Sequence, residues 1–403
     1  MANASPIYLD SCATTPPAPE VLEAMAGVHA EAWANPSSLH GFGLAAAERL
    51  ERARQRVGEL LGCGPRQVVF SSGGTESIHL ALIGATAEMA PGRVLISAVE
   101  HPATVAAALQ LQQRGWQVER VPVEATGVID LNVLERLLAP PTRLLSLIWG
   151  QSEVGTVQPL EQIGQLCRQA GVLLHVDAVQ VVGHRPVNFN ALPVDLLSCA
   201  AHKLQGPRGV GALLVRDDLP LRPFIGGGGQ EGGLRGGTEP VALVVGFARA
   251  LELCSARLER HGGADPIAQQ RDGLLRRLLS LEGLRLSGPD PHDPDAPERL
   301  PHHISLLMAS PGGRPLSGRR LVQTIWQQGY AVSSGSACSS GRGSNPWAMA
   351  PSPILQALGY DDPVAASGLR ISLGPWLTAQ DLRDVPAAVE RGRQRVLAGE
   401  PVG

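Results

Sequence analysis

Residues 198–211 read Ser-Cys-Ala-Ala-His-Lys-Leu-Gln-Gly-Pro-Arg-Gly-Val-Gly, and Lys203 at their centre is the only lysine in a chain of 403 residues. Every other strongly basic side chain is an arginine. A guanidinium stays protonated and cannot form an imine. A desolvated lysine amine can lose its proton and attack a carbonyl. One lysine in an otherwise arginine-only chain therefore points to Schiff-base chemistry, provided that the rest of a cofactor site accompanies it.

Around this stretch, short apolar runs alternate with helical patterns. Strands are expected at Ile7–Leu9, Gln67–Ser71, Val94–Ser97, Gln117–Val121, Leu144–Trp149, Val172–Val176, Asp195–Cys199 and Val210–Val215. The spacing predicts helices over 44–61, 76–89, 159–170 and 241–259, with another after His101. Short apolar strands separated by helices imply a mostly parallel sheet covered on both faces. Ligands bind such sheets beyond the carboxyl ends of the strands. The rhythm changes near residue 260. Strands at His303–Met308 and Leu369–Leu373 follow, with helices at 316–328 and 354–358, and a third from 378 to 397 that Pro386 should break or kink. This predicts an α/β protein with a large domain over 14–260. A smaller α+β domain is expected from 1–13 and 261–403, carrying the long Gly/Ser/Pro-rich loop from Ser333 to Ser352.

Composition narrows the function classes. Apolar residues make up 44% of the chain and the formal net charge is −3. No basic run or aromatic-interleaved patch suggests nucleic acid or an anionic membrane. MANASPIYLDS has neither the basic nor the apolar region of a signal peptide, and no apolar run reaches membrane-spanning length. Cysteines at 12, 63, 167, 199, 254 and 338 form no CxxC pair. Neither a metal cluster nor a disulfide framework is expected, and a reducing cytoplasm is the natural setting.

Several residues fall where a cofactor would need them. Asp177 closes a buried apolar strand, where a carboxylate needs a cationic or donor partner. A protonated pyridine nitrogen would supply one, and Gln180 could reach the oxygen of the same ring; an ordinary helix N-cap is the simpler reading of Asp177. Ser72-Gly73-Gly74-Thr75 joins a strand to a helix and can present N–H groups to a phosphate, although it is no Walker loop. His101 follows a strand end and could stack on a flat ring or merely cap the chain. His202 could donate to phosphate or hold the lysine loop. The segment 226–238, GGGGQEGGLRGGT, has linker composition, but Gln230, Glu231, Arg235 and Thr238 are more than a spacer requires.

Together with Tyr8-Leu9-Asp10, Ala13-Thr14-Thr15-Pro16, Asn35-Pro36-Ser37-Ser38, Glu100-His101, Glu153-Val154-Gly155-Thr156, His175-Val176-Asp177-Ala178, His202-Lys203, Gly237-Thr238, Ser333 to Ser339 and Leu369-Arg370 through Gly374, these motifs run nearly end to end. The sequence resembles the NifS/IscS-type cysteine desulfurases, class V aminotransferases of pyridoxal phosphate (PLP) fold type I. The resemblance implies a large domain with a mostly parallel seven-stranded sheet, and a role for each matching position. Lys203 is the Schiff-base lysine. Asp177 pairs with the pyridine nitrogen, Gln180 with the ring oxygen, and His101 stacks on the ring and relays protons. Gly74, Thr75 and His202 hold the phosphate, with Ser152 also near the cofactor. Thr238 reaches the phosphate of the neighbouring subunit in a homodimer. Arg370 binds the substrate carboxylate, a task suited to a guanidinium, with Asn35 and Ser152 assisting. Cys338, in SSGSACSSGRG, takes the sulfur of L-cysteine as a persulfide and passes it to an acceptor such as an iron–sulfur scaffold protein.

Three departures stand out. Gln151-Ser152 replaces the usual Asn-Asn, Ala200 stands three residues before the lysine where Ser is usual, and Gly232 replaces a common Arg. The expected reaction is L-cysteine to L-alanine with a persulfide on Cys338. Two rivals are a PLP-dependent lyase, including a selenocysteine lyase, on the same fold, and a catalytically retired scaffold paralogue.

Overall fold

The computed structural model describes residues 5–335 and 351–399. Its strands in chain order are β1 (Ile7–Tyr8), β2 (Val68–Ser71), β3 (Arg93–Ser97), β4 (Gln117–Val121), β5 (Thr142–Ile148), β6 (Leu173–Asp177), β7 (Leu196–Ala200), β8 (Gly211–Val215), β9 (Leu284–Leu286), β10 (His303–Met308), β11 (Tyr330–Ala331) and β12 (Gly368–Ser372). Seven of them form one sheet in the order β2-β8-β7-β6-β5-β3-β4. Every pairing is parallel except those of β8, which runs antiparallel to β2 and β7. The expected mostly parallel seven-stranded sheet is therefore present. The central strands read as near-continuous apolar runs because helices cover both faces: β7 and β8 are buried throughout, and β6 from its second residue on. Polar residues inside these strands satisfy one another within the sheet. His175 in β6 is held between Ser146 Oγ and Ser198 Oγ at 2.8 Å each, across the two neighbouring strands.

A second apolar cluster gathers Leu9 with residues of the C-terminal third, among them Leu274, Ile304, Leu321, Ile371 and Val389. It is built on a three-stranded antiparallel sheet, β12-β10-β9. Helices Ile267–Leu279, Gly318–Trp326 and Val385–Leu397 lie in the same part of the chain. The N-terminus ties into this cluster through parallel pairing of β1 with β11. Residues 11–15 then cross to the lysine loop, where Thr15 N and Thr15 Oγ1 both donate to His202 O at 2.9 Å.

Three of the differences from the sequence expectation have a clear physical reason. Pro386 lies in the first turn of the helix Val385–Leu397, so it starts the helix where a break or kink was expected. A proline there loses only an N–H that has no intrahelical partner. The helix expected from residue 76 begins at Gly74 and passes into a π-helical turn at Leu80–Gly84. A further helix, Pro19–Glu31, fills a stretch for which no element was expected. Its alanines and its two buried valines, Val21 and Val28, give little amphipathic contrast.

Candidate active site

The carboxyl ends of β6 and β7, the loop after β5 and the start of the helix after β2 surround a cleft with about 820 Å³ of empty space, partly open to solvent. It is lined by Gly74, Thr75, His101, Ser152, Asp177, Gln180, Ala200, His202, Lys203 and Arg370, with Cys12 and Ala13 from the N-terminal crossing. The position follows from register. Ile148, Asp177 and Ser198 are neighbours across β5, β6 and β7, so the residues just beyond them converge.

Lys203 is half-buried on a single 3-10 turn, Ala201–Lys203, directly after β7. Its Nζ donates to the carbonyls of Cys12 and Ala13, the latter at 2.8 Å. Gln180 Nε2 donates to the same Cys12 carbonyl at 3.0 Å. The loop is fixed from behind. Thr15 Oγ1 accepts from Gln205 N at 2.7 Å, and Thr14 Oγ1 meets His202 Nδ1 at 3.2 Å. Burial, together with Lys203, Arg208 and His101, lowers the His202 pKa to about 4. His202 is thus neutral near pH 7 and serves as a hydrogen-bonding group.

Asp177 is 4% exposed at the end of β6. Its Oδ1 accepts from Val179 N at 3.0 Å. Burial raises its pKa, and His101 and Lys203 pull the other way. A buried carboxylate of this kind calls for a cationic donor in the cleft. His101 caps the helix Pro102–Gln113, its Nδ1 accepting from Ala103 N at 3.1 Å. Its neighbour Glu100 is buried, with Oε1 accepting from Ser97 Oγ at 2.5 Å and Ile148 N at 2.8 Å. Burial raises the Glu100 pKa to about 7, with the Asp177 charge adding to the rise.

Arg370, on β12, lines the same cleft at 2% exposure. It donates through Nη2 to Asp10 Oδ1 at 2.7 Å and through Nη1 to the Ser152 carbonyl at 3.0 Å. Its Nε has no hydrogen-bond partner among the described residues. Two anchors hold the guanidinium in place and leave donor capacity for an anion. Of the departures, Ser152 meets Arg370 through its backbone carbonyl, and Ala200 puts a buried methyl on the cleft wall. Gln151 stitches its turn together: Oε1 accepts from the backbone N–H groups of Glu153 and Val154, and Nε2 donates to Val99 O at 3.1 Å.

Thr238 and Asn35 are exposed and are not among the residues lining the cleft. Asn35 braces its own turn, Oδ1 accepting from Ser37 N at 2.9 Å. Cys338 lies outside the described residues. The glycine-rich segment is tied down and is no simple spacer. Glu231 takes a two-pronged ion pair from Arg54 at 2.7 and 2.8 Å and also accepts from Phe70 N, while Arg235 pairs with Glu76 at 2.9 Å. The sequence reading passed over Cys12, Ala13 and Asp10 as site residues. Asp10 stood in a quoted motif and was a findable signal. The Cys12 and Ala13 carbonyls carry no side-chain signature at all.

PLP fits this donor set. The buried Asp177 carboxylate suits a protonated pyridine nitrogen, the amine of Lys203 suits an aldehyde, and a neutral His202 with Thr75 can hydrogen-bond a phosphate. Close backbone approach is built in, since a Cβ on Gly74 would lie 2.8 Å from Val179 Cγ2. No group of three or more His, Cys, Asp or Glu side chains among the described residues is placed to hold a metal ion.

Comparison with known proteins gives a consistent result. A profile of the aminotransferase class-V family matches residues 7–385. The chain is 35% identical over 388 residues to the cysteine desulfurase IscS of Dictyoglomus turgidum, covering 96% of this chain and 94% of that one. Among solved structures, a NifS-like protein superposes with a TM-score of 0.85 at 32% identity, over 98% of this chain and 100% of that one. SspA, solved in complex with cysteine, gives a TM-score of 0.77 at 30% identity, over 92% of this chain and 100% of that one.

Proposed function

From the premise that this chain belongs to the PLP-dependent class-V aminotransferase family, we propose that it is a cysteine desulfurase. On this reading it converts L-cysteine to L-alanine and leaves the sulfur as a persulfide on Cys338. The observation that carries the reading is the convergence of three residues in one cleft, Lys203, the buried Asp177 and Arg370. An amine, an acid that holds a pyridinium and a carboxylate clamp are the needs of amino-acid chemistry on this cofactor.

Bound there, PLP supplies an electron-withdrawing ring that stabilises negative charge developing at the substrate α-carbon. Asp177 would hold the ring nitrogen, Gln180 the ring oxygen, Gly74, Thr75 and His202 the phosphate, and His101 the ring face. Arg370 holds the substrate carboxylate, with Ser152 as an accessory contact. Lys203 Nζ takes the α-proton and returns one to the substrate. Cys338 Sγ attacks the substrate sulfur. The sulfur–sulfur bond forms as the substrate carbon–sulfur bond breaks, the bond pair stays with carbon, and a proton relayed through His101 completes alanine. The persulfide then passes to an acceptor such as an iron–sulfur scaffold protein.

We place the reaction in a homodimer in the cytoplasm, with Thr238 reaching the cofactor phosphate of the second copy. Exposure of Thr238 on a firmly anchored segment supports this. So do the surface rings of Trp33 and Phe42, 67% and 64% exposed and 5.9 Å apart. Five free cysteines among the described residues suit a reducing compartment. No helix among the described residues is long and apolar enough to cross a membrane. We divide the chain into a large domain over 14–260 and a small one from 1–13 and 261–403, as the separate C-terminal apolar cluster that includes Leu9 favours.

The test is product analysis with L-cysteine. Alanine and reducible sulfur should appear together, and Cys338→Ser should abolish both. A lyase of the same fold would keep most of its turnover in that variant, and a retired scaffold would make no alanine in either form.

A further inference from the structure

We propose that His303 is a positioning residue for the substrate side of the cleft, fixing the Ser152 carbonyl that anchors the Arg370 guanidinium. The inference rests on the reading of Arg370 as the substrate-carboxylate contact.

His303 is the first residue of β10 and is fully buried. Its Nε2 lies 3.0 Å from Ser152 O, and its Nδ1 lies 3.3 Å from Arg299 Nη1. The two partners settle the ring's proton. A carbonyl only accepts, so Nε2 must carry hydrogen; a guanidinium only donates, so Nδ1 must present its lone pair. The ring is therefore neutral and directional, passing a hydrogen bond from Arg299 toward Ser152. Burial, with Arg299 and Arg370 nearby, pushes the His303 pKa well below the ordinary histidine range, in agreement with that geometry.

Arg299 is itself pinned. It is buried, with Nε donating to Pro289 O at 2.7 Å and Nη2 donating to Ser287 O. The turn before Thr156 is shaped to admit the histidine. Gly155 has φ +80°, and a Cβ there would lie 2.6 Å from His303 Nδ1. Ser152 O thus receives two donors, His303 from β10 and Arg370 from β12. Without His303, the Ser152 carbonyl loses its tie to β10 and is held only by the bonds within the 151–155 turn, so the Arg370 anchor on it is less firmly placed.

The test separates carboxylate recognition from general damage. Holoenzyme is titrated with L-alanine, which carries a carboxylate, and with cysteamine, which carries the amine and thiol without one. Absorbance of the bound cofactor reports binding. In His303→Ala, alanine should bind about fivefold to tenfold more weakly, the loss expected for one hydrogen bond. Cysteamine should stay within about twofold of wild type, the scatter left once no hydrogen bond to the ligand is lost. His303→Gln, whose amide both donates and accepts, should stay closer to wild type than His303→Ala. Unchanged alanine affinity in His303→Ala, equal weakening of both ligands, or a Gln variant no better than Ala would each overturn the proposal. Arg370→Ala serves as the reference. If it selectively weakens alanine while His303→Ala does not, the inference fails alone. If it weakens both ligands equally, the carboxylate reading of Arg370 fails and takes the inference with it.

Discussion

Arg370 and Ser333 exchange both of their backbone hydrogen bonds, Ser333 N to Arg370 O at 3.0 Å and Arg370 N to Ser333 O at 2.7 Å. The residue assigned to the substrate carboxylate and the root of the segment bearing Cys338 therefore share one short ladder. Ser333→Pro removes the Ser333 N–H and one of those bonds. Sulfur transfer to Cys338 should slow by about fivefold to tenfold, with cofactor content unchanged. Rapid-quench measurement of persulfide checks this, and an unaltered rate would show that the ladder does not set the approach.

In the proposed reaction, Asp177 is the group that would set the cofactor's electronics. Asp177→Asn keeps the shape and removes the charge. Losing a charged hydrogen bond worth about 1.5–3 kcal/mol predicts a fall in activity of at least about tenfold. The absorbance of the bound cofactor should shift as its ring nitrogen loses its proton. Wild-type spectrum and rate together would remove Asp177 from its assigned place.

Glu100 makes a pH prediction. Its carboxyl pKa is raised from 4.5 to about 7, chiefly by burial. The folded state thus holds a proton that the unfolded state has released between about pH 4.5 and 7. The neutral form's contribution is complete below pH 4.5 and is lost as pH rises through 7. Glu100→Gln fixes the neutral form and should stabilise the protein at pH 8 relative to wild type by about 3 kcal/mol, with little difference at pH 4.5. Denaturant unfolding of both proteins at the two pH values, with cofactor saturating, reads this. Parallel stability curves would contradict it.

Glu231 tests the glycine-rich segment. Its side chain is buried against Arg54, which stacks on Phe70 with its guanidinium carbon 4.8 Å from the ring centroid. Glu231→Ala strands the Phe70 N–H and leaves the buried Arg54 guanidinium only the exposed Glu51 and the Val68 carbonyl, so the loss should fall near the lower end of the about 3–5 kcal/mol that breaking a buried pair costs. Urea unfolding should show a loss of that order. A loss below about 1 kcal/mol would mean that the pair behaves as an exposed one.

Much of the site was legible because its chemistry sits in residue types with few alternatives. A lone lysine after a buried strand, and an aspartate closing the neighbouring strand, identify themselves. Most strands of the large sheet were legible for a related reason: burial on both faces leaves continuous apolar runs that periodicity finds to within a residue or two, whereas the edge strand β4 is mixed in both burial and polarity. What stayed hidden works through backbone or through distance. The Cys12 and Ala13 carbonyls that receive Lys203 leave no trace in side-chain identity. His303 lies 151 residues from the Ser152 it holds, and only the fold brings them together. The Pro19–Glu31 helix was obscured by alanines that suit either a face or the core, and Pro386 by a rule that reverses in a helix's first turn.

The central claim is that sulfur leaves L-cysteine by way of Cys338. The most direct measurement is mass spectrometry of the peptide containing Cys338 after seconds of exposure of the holoenzyme to L-cysteine. One added sulfur atom on Cys338, matched by one equivalent of alanine, is the predicted result. Alanine formed with Cys338 unmodified at every time point would contradict the account.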